Sequence, residues 1–295
     1  MDESITIRRA RPQDAPLLPA VEKSAGEAFR ALSDLAWIAD DRVVEAQSYD
    51  EPIRDGTVWI AERERRIVGV LLAERANDAL HIDELAVVRD SQQRGIGRQL
   101  LDAAVAYARV KGLSALTLTT FRHVAWNAPF YARYGFVELD RPGATLQAIL
   151  KSEAARGLPN RCAMQLAVAP LDFDVRDVVR KRAILEGQTM WLAGLGDLVA
   201  DLAKTWRLGI GALLSGGTEA VVLEADTEDG ERGVLKLCLP GSDPRHNEMR
   251  VLAHANGRGY ARLLRRDSER NVMLLERLGV QLHGLGLSSD KKLEA

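Results

Sequence analysis

Cysteine, long apolar runs and an excess of charge are all scarce in this sequence of 295 residues. The two cysteines, Cys162 and Cys238, lie far apart without metal-type spacing, which argues against a disulfide framework or a metal site. No run approaches the roughly 18 apolar residues of a membrane span, and the charged N-terminus lacks the apolar core of a signal peptide. The 40 Lys and Arg nearly balance the 42 Asp and Glu, so no strong field attracts nucleic acid or membranes. We expect a cytoplasmic protein.

The chain is long enough for two domains, each with its own core. Hydrophobic residues make up 46% of it and charged residues 28%, as in an ordinary globular protein. Pro170 lies between two differently patterned stretches. We therefore predict one domain over residues 1–168 and a second over residues 169–295.

A glycine-containing turn follows an apolar, strand-like run that ends at Val88. The turn reads Gln92-Gln93-Arg94-Gly95-Ile96-Gly97, and apolar residues then recur at helical spacing up to Ala108. The free N–H groups of a helix start favour an anion, glycine lets a ligand approach the backbone, and Arg94 and Arg98 can add charge. The turn predicts a phosphate site, although an ordinary strand-to-helix turn would look similar.

A second motif lies in a later helix, where Asn127 is followed by Phe130, Tyr131 and then Gly135-Phe136. Gly135 is expected to end this helix. Across the first domain the pattern reads strand, helices, three strands, helix, strand, helix, strand. This order predicts a mixed α/β sheet rather than a doubly wound parallel one.

The two motifs together resemble those of the GNAT superfamily of N-acetyltransferases, over residues 1–168. The resemblance implies a mixed, mostly antiparallel sheet flanked by helices, with acetyl-coenzyme A as the acetyl donor. By this resemblance, Asn127 contacts the cofactor and Tyr131 lies near its sulfur. The implied cofactor-binding set is Leu85, Ala86, Val87, Val88, Gln92, Gln93, Arg94, Gly95, Ile96, Gly97, Arg98, Asn127 and Tyr131.

Acetylation of an amine needs a base for its proton, donors for the carbonyl oxygen and an acid for the leaving thiolate. Glu84, on the strand before the turn, is our candidate base, directly or through water; the alternative is a solvated or salt-bridged strand residue. A regular strand would place Glu84 on one face with Ile82, Ala86 and Val88. Backbone N–H groups near Ala86 and Val87 are the expected oxygen donors. Tyr131 is the candidate acid, because it, and not Tyr134, has the family's spacing to Gly135.

Phe29, Trp37 and Asp40 follow the first helical stretch, whose predicted buried stripe includes Leu17, Leu18 and Val21. In an acetyltransferase fold this region commonly borders the acceptor pocket, whereas in other folds such residues are usually core. No motif identifies the acceptor. Small-molecule amines, antibiotics and protein amines all stay open, and a homo-oligomer is possible.

The second domain begins with helical periodicity and then turns strand-like, with a glycine-rich loop at Gly216 and Gly217 and a strand lysine, Lys236. The glycine-rich loop, the strand lysine and further short segments up to Leu278 resemble those of the streptomycin and hydroxyurea antibiotic-resistance phosphotransferases. The resemblance implies leading helices and the β-sheet of a kinase N-terminal lobe. It further implies a pair between Lys236 and Glu248 in a vestigial nucleotide site.

The kinase resemblance fails at the residues that transfer phosphate. A kinase uses a base aspartate and metal-binding residues from its C-terminal lobe, but His283 is followed by Gly284-Leu285, and we expect no second lobe here. We predict an N-acetyltransferase with a catalytically silent kinase-like remnant, whose exposed apolar surface favours self-association. The alternatives are an acyl-coenzyme A-sensing protein without turnover, and a fragment of a bifunctional resistance enzyme.

Overall fold

The computed structural model describes residues 4–171, 173–215, 219–241 and 244–279, with the backbone alone for residues 244–247. The chain divides into two compact units, Met1–Asp172 and Phe173–Ala295. Within the described ranges, no helix combines the length and the apolar character needed to cross a membrane.

The first unit is a seven-stranded sheet with helices on both faces, which confirms the predicted fold class. The strand order is β1-β2-β3-β4-β5-β7-β6, and the pairing is antiparallel except between β4 and β5. The strands are β1 (Thr6–Arg9), β2 (Val58–Arg63), β3 (Arg66–Ala76), β4 (Ala79–Val87), β5 (Ala115–Phe121), β6 (Val137–Glu138) and β7 (Arg161–Ala167). The helices are α1 (Leu18–Gly26), α2 (Asp50–Asp55), α3 (Ile96–Lys111), α4 (Ala128–Tyr134) and α5 (Ala144–Ala155).

Two cores cover the two faces of this sheet. The core on one face includes Leu100 and Leu101 of α3, and the core on the other includes Leu18 and Val21 of α1. The predicted stripe is wrong for Leu17, which is 56% exposed. The cause is that Pro12–Leu17 forms a 3-10 helix, whose tighter turn shifts the phase of the apolar face before α1 begins.

The second unit begins with three helices, α6 (Asp177–Leu185), α7 (Thr189–Ala193) and α8 (Leu195–Thr205). Its antiparallel sheet has the order β11-β12-β10-β9-β8. Those strands are β8 (Leu208–Leu213), β9 (Ala220–Thr227), β10 (Arg232–Cys238), β11 (Leu263–Asp267) and β12 (Val272–Glu276), with α9 (Pro244–Ala255) between β10 and β11. The predicted helices and strands are confirmed, and β11 and β12 are additional.

Candidate active site

The glycine turn joins β4 to α3 through two residues in the left-handed region, Gln93 with a φ of 60° and Gly95 with a φ of 78°. Gly95 is the N-cap of α3, and within the described residues no side chain caps the first turn of this helix. The backbone N–H groups there are therefore available to an external acceptor. Arg94 and Arg98 are exposed beside them.

Two predicted cofactor residues of this turn have partners within the protein. The side-chain amide of Gln92 donates a hydrogen bond of 3.0 Å to the carbonyl oxygen of Val87, which ties the turn to the end of β4. A Cβ at Gly97 would lie 3.3 Å from Cζ of Phe130. The small size of Gly97 thus gives α4 room to pack on α3.

The parallel strands β4 and β5 separate at their C-terminal ends. Their pairing runs from Ala79 with Ala115 to Ile82 with Leu118. Beyond that point β4 continues beside β3 as far as Val87, and β5 continues beside β7 as far as Phe121. Within the described part of this sheet, no strand lies between the diverging edges, so β4 presents open backbone after Ile82.

A β-bulge in β4 changes the direction in which Glu84 faces. Leu72 pairs with Glu84 and Ala73 with Ile82, which leaves Asp83 as the extra residue. Ile82 consequently packs in the core beneath α3, while Ala86 packs in the core beneath α1. The regular alternation expected from the sequence is wrong here, because the bulge breaks it. Glu84 shares the α1 side with Ala86 and not a face with Ile82.

The charge of Glu84 acts on Tyr131, and the charge of Arg161 on β7 acts on both residues. Burial raises the pKa of the Glu84 carboxyl, and the Leu85 backbone N–H and the Arg161 charge offset part of that rise. Burial, followed by the Glu84 charge, raises the pKa of the Tyr131 hydroxyl well above its usual value, and Arg161 opposes this. The structure thus brings both predicted catalytic residues into one region and adds Arg161, which the sequence did not indicate.

Asn127 is the N-cap of α4, and its carbonyl oxygen accepts the backbone N–H groups of Phe130 at 2.8 Å and Tyr131 at 3.1 Å. Its side-chain oxygen is buried and has no hydrogen-bond partner within the residues described. Buried polar atoms without a hydrogen-bond partner are uncommon in folded proteins. Gly135, with a φ of 124°, ends α4 as predicted.

The three predicted acceptor-pocket residues have different environments. Phe29 packs against Phe121 and Trp126, with ring centroids 5.6 and 5.8 Å apart. Asp40 forms an ion pair of 2.7 Å with Arg30, so its charge is balanced within the protein. Trp37 is 41% exposed.

Sequence reasoning also missed Glu22 and Tyr49, which are buried on the α1 side of the sheet. The hydroxyl of Tyr49 donates a hydrogen bond to Glu22. One sequence feature could have indicated Glu22. It lies four residues after Leu18, which places a carboxylate on the buried face of the helix.

In the second unit, Nζ of Lys236 lies 2.5 Å from Oε1 of Glu248, so the predicted pair of the kinase-like site is present. Gly216 and Gly217, the predicted phosphate loop, lie outside the described residues.

Comparison with known proteins finds a similar family for part of each unit. Residues 54–138 match the family model of an acetyltransferase (GNAT) domain. Residues 205–292 match that of an aminoglycoside/hydroxyurea antibiotic resistance kinase. These are the two families that the sequence motifs resemble, and each model matches less than a third of the chain.

Individual relatives match parts of the chain. Streptomycin 6-kinase of Streptomyces glaucescens is 40% identical over 93 residues, 32% of this chain and 30% of that protein. The probable N-acetyltransferase camello of Xenopus laevis is 37% identical over 65 residues, 21% of this chain and 30% of that protein. The chain thus spans about 30% of the length of each of these relatives. The crystal structure of PaiA N-acetyltransferase from Thermoplasma acidophilum with coenzyme A is 17% identical and covers 56% of this chain and 99% of its own, with a TM-score of 0.43.

Proposed function

We propose that the first unit is an acetyl-coenzyme A-dependent N-acetyltransferase whose acceptor is a primary amine. The observation that carries the proposal is the open edge of β4 after Ile82, with Glu84 on one side of it and the uncapped start of α3 at its end. A match of residues 54–138 to the acetyltransferase family supports the same reaction class.

The residues of the turn and of α4 fit the pyrophosphate and the pantetheine arm of the cofactor. The free N–H groups at Gly95 to Arg98 would hold the pyrophosphate, and Arg94 and Arg98 would add charge. The unpartnered oxygen of Asn127 would accept an amide N–H of the arm. When bound, the cofactor supplies a thioester, the electrophile that the amine attacks.

Three groups of the chain handle the charges that develop in this reaction. The Glu84 carboxylate takes the proton of the acceptor ammonium, directly or through one water. Backbone N–H groups of β4 near Ala86 and Val87 donate to the carbonyl oxygen as it gains charge. The Tyr131 hydroxyl, held protonated by its raised pKa, gives its proton to the departing sulfur.

Acetylation of an amine panel, followed by release of the coenzyme A thiol, tests this assignment. We expect Glu84→Gln and Tyr131→Phe each to lower kcat/KM by about 100-fold or more, the usual effect of losing an acid or base group. Tyr134→Phe is the matched control, since its hydroxyl lies one turn further along α4 and donates to Asp102 at 2.7 Å. Full activity in both Glu84→Gln and Tyr131→Phe would refute the mechanism.

The second unit, in this proposal, contributes no phosphate transfer. Lys236 and Glu248 keep the pair that positions a nucleotide phosphate in kinases. After His283 the sequence continues with Gly284-Leu285 and not with an aspartate. Among amine acceptors, an aminoglycoside antibiotic fits the family of this neighbouring segment and is the first candidate for the amine panel.

A further inference from the structure

A second carboxyl group, that of Glu22 on α1, lies on the same side of the sheet as Glu84. Glu22 is 8% exposed. One of its oxygens accepts the Tyr49 hydroxyl, and the other accepts the backbone N–H of Val44 at 3.0 Å. Tyr49 itself is fully buried. The carboxyl group of Glu22 is therefore fixed in orientation from two sides.

The bulge at Asp83 places Glu84 toward this helix. Ala86, two residues after Glu84, packs in one core with Leu18 and Val21 of α1. Burial and, after it, the charge of the Glu84 carboxylate raise the pKa of Glu22. Glu22 follows Val21 on α1, and Glu84 lies on β4. The two residues thus form a pair of carboxyl groups between α1 and β4.

The surroundings of Glu22 disfavour its ionised form. A buried carboxylate is normally balanced by a cation, because its desolvation is unfavourable. Within the described residues no ion pair includes Glu22, and its charged neighbour carries the same sign. Like-charged pairs of this kind are a feature of sites that move protons.

We infer that Glu22 is a positioning residue for acetyl transfer, which forms a carboxyl pair with Glu84 and controls, through Glu84, the removal of the proton from the acceptor amine. This inference rests on the proposed function of the first unit. Glu22 touches neither substrate nor cofactor in this scheme. The protonation state of the Glu22 carboxyl determines whether a second negative charge lies beside the base, Glu84.

The pair titrates in two steps, because the charge of one carboxyl opposes ionisation of the other. Burial and the Glu84 charge raise the pKa of Glu22 to about 8. The Leu85 backbone N–H and the Arg161 charge favour the ionised form of Glu84, so in this proposal Glu84 ionises first and the remaining proton resides on Glu22. Above pH 8 both groups are ionised, and the second negative charge makes Glu84 a stronger base.

Other charged groups face Glu84 from the neighbouring elements. Arg161 of β7 lowers the pKa of Glu84. Tyr131 of α4 stays neutral, since its pKa lies well above the usual value. Burial, followed by the charges of Glu74 and Glu84, raises the pKa of Asp83 to about 7. Replacement of Glu22 leaves all of these groups in place, so its own contribution can be isolated.

The ratio of wild-type kcat/KM to that of Glu22→Gln, measured from about pH 6 to pH 9, tests the inference. Glutamine is isosteric with the protonated acid, and the ratio cancels the ionisation of the acceptor. We expect a ratio near 1 at pH 6 that rises about tenfold by pH 9, the effect of one neighbouring carboxylate on a base. A ratio that does not change with pH would overturn the inference.

Asp102→Asn is the matched control, because Asp102 also accepts a tyrosine hydroxyl, that of Tyr134, but does not act on Glu84. Its ratio to wild type is expected to stay constant with pH. If the ratio for Asp102→Asn rises with pH in the same way as that for Glu22→Gln, the rise in the kcat/KM ratio does not come from Glu22 and the inference fails.

Carboxyl NMR of the protein labelled with ¹³C-glutamate gives a readout independent of acetyl transfer. We expect one carboxyl to titrate near pH 8 in the wild type and to be absent in Glu22→Gln. Tyr49→Phe should move this titration to higher pH, because the hydroxyl stabilises the ionised form. If this titration is absent from an active enzyme, the carboxyl pair is refuted. If it is present in a protein that acetylates no amine, the proposed function is refuted instead.

Discussion

Gly95 has a φ of 78° at the N-cap of α3, in a region where residues with a Cβ are strained. A Cβ built there would meet no protein atom within 4 Å among the residues described, so alanine would be disfavoured by the backbone and not by a clash. We expect Gly95→Ala to lower the free energy of unfolding by about 1 to 2 kcal/mol. Since the added methyl enters the space proposed for the pyrophosphate, we also expect acetyl-coenzyme A to bind about tenfold more weakly, a loss of about 1.4 kcal/mol.

Gly112, at the other end of the same helix, provides the control. Its φ is 68°, and a Cβ there would also meet open space within the described structure. Gly112→Ala should therefore lower stability by a similar amount and leave acetyl-coenzyme A affinity unchanged. Calorimetric titration and urea unfolding measure the two quantities. Equal weakening of binding in both variants would mean that the effect comes from lost stability and not from the proposed phosphate site.

The helix α5 is joined to the sheet by an ion pair at the start of β7. Arg161 and Glu153 are 16% and 13% exposed, with 2.5 Å between Nη2 and Oε1, and Arg161 also donates to the Thr119 carbonyl oxygen at 3.1 Å. Loss of one partner leaves a largely buried charge without its counterion. We expect Glu153→Ala to lower the free energy of unfolding by about 2 kcal/mol, measured by urea unfolding with an unchanged m-value.

An exposed ion pair on the same sheet allows a direct comparison. Arg122 and Glu138 are 43% and 39% exposed and 2.7 Å apart. Water already solvates both charges, so Glu138→Ala should change stability by no more than about 0.5 kcal/mol. A larger loss in Glu138→Ala than in Glu153→Ala would contradict the dependence on burial.

Local patterns predicted the elements of this fold better than the faces of their residues. Gly95 and Gly135 act through their own backbone conformations, so the turn and the end of α4 could be read from the sequence. The bulge at Asp83 depends on the register between β3 and β4, which the β4 sequence does not contain. Glu22 and Tyr49 meet through the packing of distant segments, and no local period indicates that contact.

At the scale of the whole molecule, each unit has a core of its own. The cores on the two faces of the first sheet, together with the residues packed against them, run from Ile5 to Val168. The second unit contains a separate cluster that includes Ala220, Leu252 and Met273. It also exposes large apolar side chains, such as Leu185 at 82% and Met190 at 53%. Self-association of the chain through this unit stays a prediction.

Because the proposed acetyl-transfer residues all lie before Asp172, a protein of residues 1–172 should fold alone and carry the whole reaction. We expect its kcat/KM for the best amine to lie within about twofold of the full chain, a difference of about 0.4 kcal/mol. We also expect neither protein to transfer labelled phosphate from ATP to an aminoglycoside, in keeping with the proposal that the second unit is catalytically silent. Circular dichroism and thermal unfolding of the shorter protein provide the folding control. A folded but inactive 1–172 protein would assign part of the acetyl-transfer site to the second unit, and phosphate transfer by the full chain would show that the kinase-like segment is not silent.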